Sequence, residues 1–135
     1  GEGEARTGSG RLLVMDDEPA VRTAMRRMLA RLGYATETVA DGEEAVALYR
    51  EALEAGDPFE AVILDLTIPG KPSGERVLHD LMKIDADVIG LVVSGYADND
   101  VLARYAEHGF AGRLQKPFTA QALGEQLARI LPTAE

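Results

Sequence analysis

Five polar side chains fall at the ends of short runs that read as strands, and their types suggest charge chemistry. Asp16 and Asp17 follow RLLVM, Asp65 ends the run AVILD, Ser94 ends IGLVVS, and Lys116 follows GRLQ. If these runs are parallel strands of one sheet, all five groups lie at carboxyl ends, on one rim, although Asp16 and Lys116 are a hundred positions apart. Carboxylates held that close repel: a like-charged pair at ~4 Å costs about 4 kcal/mol at an effective dielectric near 20. Lys116 can neutralise one charge, and a hard divalent cation with oxygen ligands can neutralise the rest. The absence of cysteine, and of histidine near these runs, favours Mg2+ over Zn2+, with Mn2+ able to substitute.

The elements that must position these groups are legible in the alternation of short apolar runs with segments of helical period. Strands are expected at Arg11–Met15, Tyr34–Val39, Phe59–Leu66, Val88–Val93 and Ala111–Gln115. A first helix begins at Pro19, with Asp17 or Glu18 as its cap, and Gly33 stops it. ADGEEAVALYREALEAG, SGERVLHDLMKI and DNDVLARYAEHG supply three more helices, and the last runs from its cap Thr119 to Leu131. Parallel strands need long crossovers, so this alternation predicts an α/β fold: a doubly wound five-stranded parallel sheet with helices on both faces. Ligand sites in such sheets lie beyond the carboxyl ends of the strands, which is where the five polar groups fall.

At 135 residues the chain amounts to one domain, expected over 11–131, with residues 1–10 (GEGEARTGSG) a linker or cloning remnant and 132–135 a tail. Hydrophobic residues at 46% and charged residues at 27% are those of a folded globular protein. With 23 acidic against 14 basic residues the net charge is −9, and no basic patch is evident, so nucleic acid and anionic membrane surfaces are not expected partners. No apolar run approaches a bilayer span, and the lack of cysteine rules out disulfides and fits a cytoplasmic location.

MDDE, VILDLTIPG, VVSGY and QKPF, in that order, resemble the receiver domain of two-component response regulators over residues 11–131. The resemblance implies a flavodoxin-like strand order 2-1-3-4-5, the order the same class of folds is known for. It further implies that Asp65 accepts a phosphoryl group from the phosphohistidine of a histidine kinase or histidine phosphotransfer domain. Asp17, Asp65 and the backbone carbonyl of Thr67 would hold Mg2+, with Asp16 assisting through water. Lys116 would pair with the phosphoryl oxygens, the Ser94 hydroxyl would swing to bond one of them, and the Lys116–Pro117 peptide would be cis. The protein would then be a phosphorelay acceptor rather than an enzyme, with at most self-phosphorylation from small donors and self-dephosphorylation, and a homodimer is left open.

Each residue also has a plainer reading. Asp16 and Asp17 could only cap a helix, Asp65 could be a turn carboxylate, and Lys116 a solvated lysine. His79 and His108 fall in helices away from the rim and read as surface or packing residues; Tyr96 lines the mouth of the site or simply belongs to a turn. Arg113 stands where many receivers carry the aromatic residue of their switch, three positions before the lysine, which puts that switch in doubt. This keeps a phosphorylation-independent docking module as the alternative function. An aspartyl-phosphate hydrolase ranks last, because position 67 is Thr where an acid is needed. DLTIPG, SGYADND and GFAGRLQKPF resemble the C-terminal receivers of hybrid sensor histidine kinases more than DNA-binding regulators.

Overall fold

The computed structural model describes residues 10–66, 73–95 and 100–132, so the expected roles of residues 1–9, Thr67, Tyr96 and 133–135 lie outside the described residues. The strands are β1 Arg11–Met15, β2 Ala35–Val39, β3 Ala61–Asp65, β4 Gly90–Ser94 and β5 Gly112–Gln115. The helices are α1 Pro19–Arg31, α2 Gly42–Glu54, α3 Gly74–Ile84, α4 Asp100–Ala103, followed by a 3-10 turn at Tyr105–His108, and α5 Ala120–Ile130. The five strands form one parallel sheet in the order β2-β1-β3-β4-β5, as the resemblance implies.

The sheet is buried on both faces, which explains why its inner strands are unbroken apolar runs. Alternate residues divide between the faces. Leu13, Met15, Val62, Leu64 and Val92 pack with Ala45 and Tyr49 of α2 and Val77, Leu78 and Leu81 of α3. Leu12, Val14, Ile63, Leu91 and Val93 pack with Met25 and Leu29 of α1 and Leu123 and Leu127 of α5. Both edge strands are half exposed: β2 buries only Val39, and β5 buries Gly112 and Leu114 while Arg113 and Gln115 face out.

The caps follow the residue types, with one correction. Asp41 accepts from the Glu44 backbone N–H at 3.0 Å while Glu44 Oε1 accepts from the Ala40 N–H at 2.9 Å, a reciprocal arrangement that starts α2. Thr119 Oγ1 accepts from the Ala122 N–H at 3.0 Å and starts α5, as expected. At α1 neither Asp17 nor Glu18 caps through its side chain; instead Asp16 Oδ1 accepts from the Glu18 N–H at 2.9 Å, because the turn folds back toward the strand end. Gly33, at φ 96°, ends α1 in the left-handed region.

The other departure is the fourth helix. DNDVLARYAEHG reads as one helix, yet of its described residues, 100–109, Asp100–Ala103 are α-helical and the chain tightens into a 3-10 turn after Arg104. Glu107 N–H bonds the Arg104 carbonyl, Phe110 N–H bonds the Tyr105 carbonyl, and Gly109 takes φ 93°, bringing Phe110 into the core at 3% exposure. Among the described residues, no helix is long and apolar enough to cross a membrane.

Candidate functional site

Parallel register places the polar strand ends together. Met15 lies opposite Leu64, Asp65 opposite Val93, and Ser94 opposite Gln115, so the residues that follow β1, β3, β4 and β5 emerge side by side. Backbone bonds extend this beyond the strands: Leu66 N–H to the Val93 carbonyl, and Lys116 N–H to the Ser94 carbonyl, each at 2.8 Å. One oxygen from each of Asp16, Asp17 and Asp65 lies within 4.8 Å of the others. The sequence reading of a convergent rim therefore holds for all three carboxylates, for Ser94 and for Lys116.

Lys116 Nζ donates to Asp16 Oδ2 at 3.0 Å and stands 3.6 Å from Asp65 Oδ1. Burial acts to lower the lysine's pKa, but the Asp16 hydrogen bond and the charges of Asp65, Asp16 and Glu18 outweigh it and raise the value. The ammonium stays charged at neutral pH. Asp16 uses its other oxygen on the Glu18 N–H, and Arg22 Nη1 donates to the Asp16 backbone carbonyl at 2.8 Å, so the β1–α1 turn is fixed from three directions.

Burial corrects the expected depth of Asp65. Its carboxylate does not stand out at the edge of the sheet: the side chain is 7% exposed, at the base of a cleft whose apolar wall includes Met15, Ile63, Val93 and Phe118. Ser94 is fully buried and Asp16 is 3% exposed, while Asp17 reaches solvent. The Lys116–Pro117 peptide is cis, as the resemblance implies.

Two contributors were missed from sequence. Gly74 opens α3 directly against the end of β3: a Cβ there would stand 2.7 Å from the Asp65 carbonyl oxygen and 3.2 Å from Leu64 Cβ. A glycine before ER gives little hint of this, since its requirement comes from a neighbour in space. Arg22 is the other, and its i+5 spacing from Asp17 reads only as a polar face of α1. Of the remaining residues singled out from sequence, His79 is exposed, whereas His108 is half-buried with its Nδ1 2.9 Å from Glu75 Oε2, so the two divide between the surface and packing roles expected of them. Arg113 donates to the Leu102 carbonyl at 3.2 Å and its guanidinium carbon lies 5.8 Å from the centre of the Tyr105 ring.

The donor set suits a hard cation. Opposite ligands of Mg2+ at about 2.1 Å each are about 4.2 Å apart. The carboxylate oxygens, spread over up to 4.8 Å, match this with a small contraction or with one water interposed, as expected for Asp16. No soft ligand competes, because the chain has no cysteine.

Residues 12–128 match the response regulator receiver domain, and the chain belongs to that family. It is 38% identical over 122 residues to response regulator MprA of Mycolicibacterium vanbaalenii, covering 89% of this chain and 48% of that protein. It is 30% identical over 125 residues to sensor kinase CckA of Brucella abortus, covering 93% of this chain and 13% of that protein. The chain thus spans about half or less of the length of these relatives. Among solved structures, response regulator protein TrrA of Thermotoga maritima, in complex with Mg2+ and BeF, superposes with a TM-score of 0.75 at 28% identity, covering 90% of this chain and 99% of that one. The protein is a receiver domain of the two-component signalling family, with the flavodoxin-like fold that such domains share.

Proposed function

We propose that Asp65 accepts a phosphoryl group from the phosphohistidine of a histidine kinase or histidine phosphotransfer domain, and that the modified state changes the affinity of a partner. The carrying observation is Lys116 Nζ held 3.6 Å from Asp65 Oδ1 and 3.0 Å from Asp16 Oδ2, a cation already placed beside the nucleophile. In the transfer, an Asp65 carboxylate oxygen attacks phosphorus, the P–N bond to the donor imidazole breaks, and that nitrogen takes up a proton. Lys116 pairs with the oxygens of the arriving group, and Ser94, at the adjacent strand end, bonds one of them after its side chain turns outward. Asp16, Asp17 and Asp65, with the Thr67 carbonyl, would hold Mg2+, or Mn2+ in its place. A bound divalent cation supplies neutralisation of the phosphoryl oxygens. The domain is an acceptor and not an enzyme acting on an external substrate, and it works in the cytoplasm.

The match to CckA supports a place within a hybrid kinase, and the match to MprA a place within a separate regulator. One observation favours the alternative of a docking module indifferent to phosphate: Arg113, at the position of the usual switch aromatic, is engaged with Leu102 and Tyr105 on the outer face of β5. The deciding experiment incubates the chain with Mg2+ and acetyl phosphate and follows intact mass. A base-labile phosphoryl adduct is expected, absent in Asp65→Asn and absent on chelation. An equal yield from Asp65→Asn would sink the assignment, and equal partner affinity with and without phosphate would favour docking alone.

A further inference from the structure

We propose that His108 is a protonation-dependent clasp that ties α3 to α4, the two helices that next follow Asp65 and Ser94 in the chain. Its Nδ1 lies 2.9 Å from Glu75 Oε2, on the first turn of α3, and its Nε2 lies 3.5 Å from Asp100 Oδ2, which opens α4. A neutral imidazole has one donor nitrogen and one acceptor nitrogen. In either neutral tautomer, therefore, one lone pair confronts a carboxylate, and only the imidazolium donates to both. Closure across the two helices is favoured when His108 carries a proton and weakened when it does not.

The surrounding charges sharpen this dependence. Arg76 and His79 of α3 and Glu107 of the 3-10 turn line the same cleft. Arg76 is engaged by Asp80 at 3.6 Å, and Arg104 stays on the other oxygen of Asp100 at 3.5 Å. Loss of the proton leaves Glu75 and Asp100 without the cation between them, with Glu107 lining the cleft beside Glu75 and Arg104 on Asp100, so repulsion replaces the bridge. His79 is exposed on α3 and has no carboxylate partner of this kind among the described ion pairs. The consequence concerns α4. Among the described residues α4 has one buried anchor, Leu102, and so depends on side-chain contacts for its position; the clasp joins the two ends of the 100–108 segment to each other through Asp100 and ties them to α3 through Glu75.

The bearing of the clasp on signalling rests on reading Asp65 as the phosphoryl acceptor; the clasp itself does not. It is tested on the unphosphorylated chain by amide hydrogen exchange, corrected for intrinsic pH dependence, from about pH 5.5 to about pH 8, the range in which imidazoles titrate. Protection over 100–110 is expected to fall about two- to fivefold as the pH rises, the size appropriate to partly exposed ion pairs, while α1 and α5 stay unchanged. His108→Gln should abolish the response and His79→Gln should keep it. Flat protection in the wild-type chain, or an undiminished response in His108→Gln, would overturn the proposal. Should His108→Gln fail to fold, Glu75→Gln reads the same contact: a reduced response supports the clasp and an unchanged one refutes it. Because no phosphate is present, failure of Asp65 to take a phosphoryl group would leave this result standing, and the reverse holds as well.

Discussion

The strand-end rim and the 100–109 segment are built by opposite means. At the rim, Asp16, Asp65 and Ser94 are 3%, 5% and 0% exposed, and the register of β1, β3, β4 and β5 sets their relative positions. In the segment, Leu102 is buried, but Asp100 is 68% exposed and His108 25%, and the elements are held by ion pairs and by Arg113. A sheet that is apolar on both faces cannot shift one strand end without moving a core residue, so the rim is preorganised for charge chemistry. Surface pairs worth well under ~1 kcal/mol each can be exchanged at little cost, so the segment suits a change of position. Under the proposed function, the rigid region would carry the chemistry and the loose one the response.

Breaking the rim should give the largest effect. Lys116→Ala removes the cation beside Asp65 and should slow phosphoryl uptake from acetyl phosphate about a hundredfold or more, comparable to losing a preorganised charge-stabilising donor. Arg113→Ala, in the other region, should leave uptake within about threefold if the contrast is right. Comparable losses in both variants would mean that the segment takes part in the chemistry.

The cation site should appear as a stability increment. Added Mg2+ at a hundred times its dissociation constant is expected to raise unfolding free energy by about 2.7 kcal/mol. Asp17→Asn is the informative variant, because Asp17 reaches solvent and its loss should leave the fold intact while the Mg2+-dependent rise in melting temperature largely disappears. An unchanged rise would place the ion elsewhere.

Gly74→Ala probes how tightly the rim is built. Its methyl group would approach the Asp65 carbonyl oxygen at 2.7 Å, a backbone atom that cannot turn aside, so α3 must move. Overpacking of this kind should cost about 1–3 kcal/mol by urea unfolding and should slow phosphoryl uptake in the same variant. Destabilisation without loss of uptake would separate the helix from the site.

Alkaline pH acts on both the rim and the helical layer. The Lys116 pKa is raised despite its burial, because Asp16 and Asp65 favour the ammonium. That of Tyr49 is raised by burial first and then by Asp85, whose Oδ2 accepts from the Tyr49 hydroxyl at 2.6 Å. For both groups the folded pKa lies above the unfolded one, so their contribution is complete below about pH 10 and is lost as pH rises through the folded values. Melting temperature should hold to about pH 10 and fall beyond it, and Tyr49→Phe should flatten part of the fall. A fall already complete near neutrality would contradict this sign.

What could be read from sequence follows from what each feature depends on. The inner strands and their carboxyl-end polar groups were legible because burial on both faces leaves unbroken apolar runs, and Asp65 or Ser94 interrupts such a run visibly. Strand order was not legible from periodicity, since β1 and β3 look alike as apolar runs, and it entered through the resemblance. Gly74 and Arg22 were missed because each is defined by a contact in space, with the Asp65 and Asp16 carbonyls, and no local pattern marks it. The fourth helix was overestimated for the same reason: Val101, Leu102 and Tyr105 have helical spacing, but Tyr105 turns toward Arg113 and Phe110 must reach the core. His108 read only as a surface or packing residue, without named partners, because Glu75 and Asp100 lie 33 and 8 positions away.

The smallest effect should come from Arg113 itself. Its guanidinium spans from β5 to the Leu102 carbonyl at the end of α4 and lies over the Tyr105 ring at 5.8 Å, near the outer limit for a cation–π contact. The residue is exposed, so Arg113→Ala should lower global stability by less than ~1 kcal/mol. The informative readout is local: exchange over 100–110 should quicken in the variant while β1, β3 and α5 keep their protection. Phosphorylation should then move the segment more readily, because one fixed contact no longer opposes it, and a partner's preference for the phosphorylated state should increase. If Arg113→Ala instead erased that preference, the guanidinium would be the element that transmits the signal and not a restraint on it, and the loose region would owe its response to this one side chain.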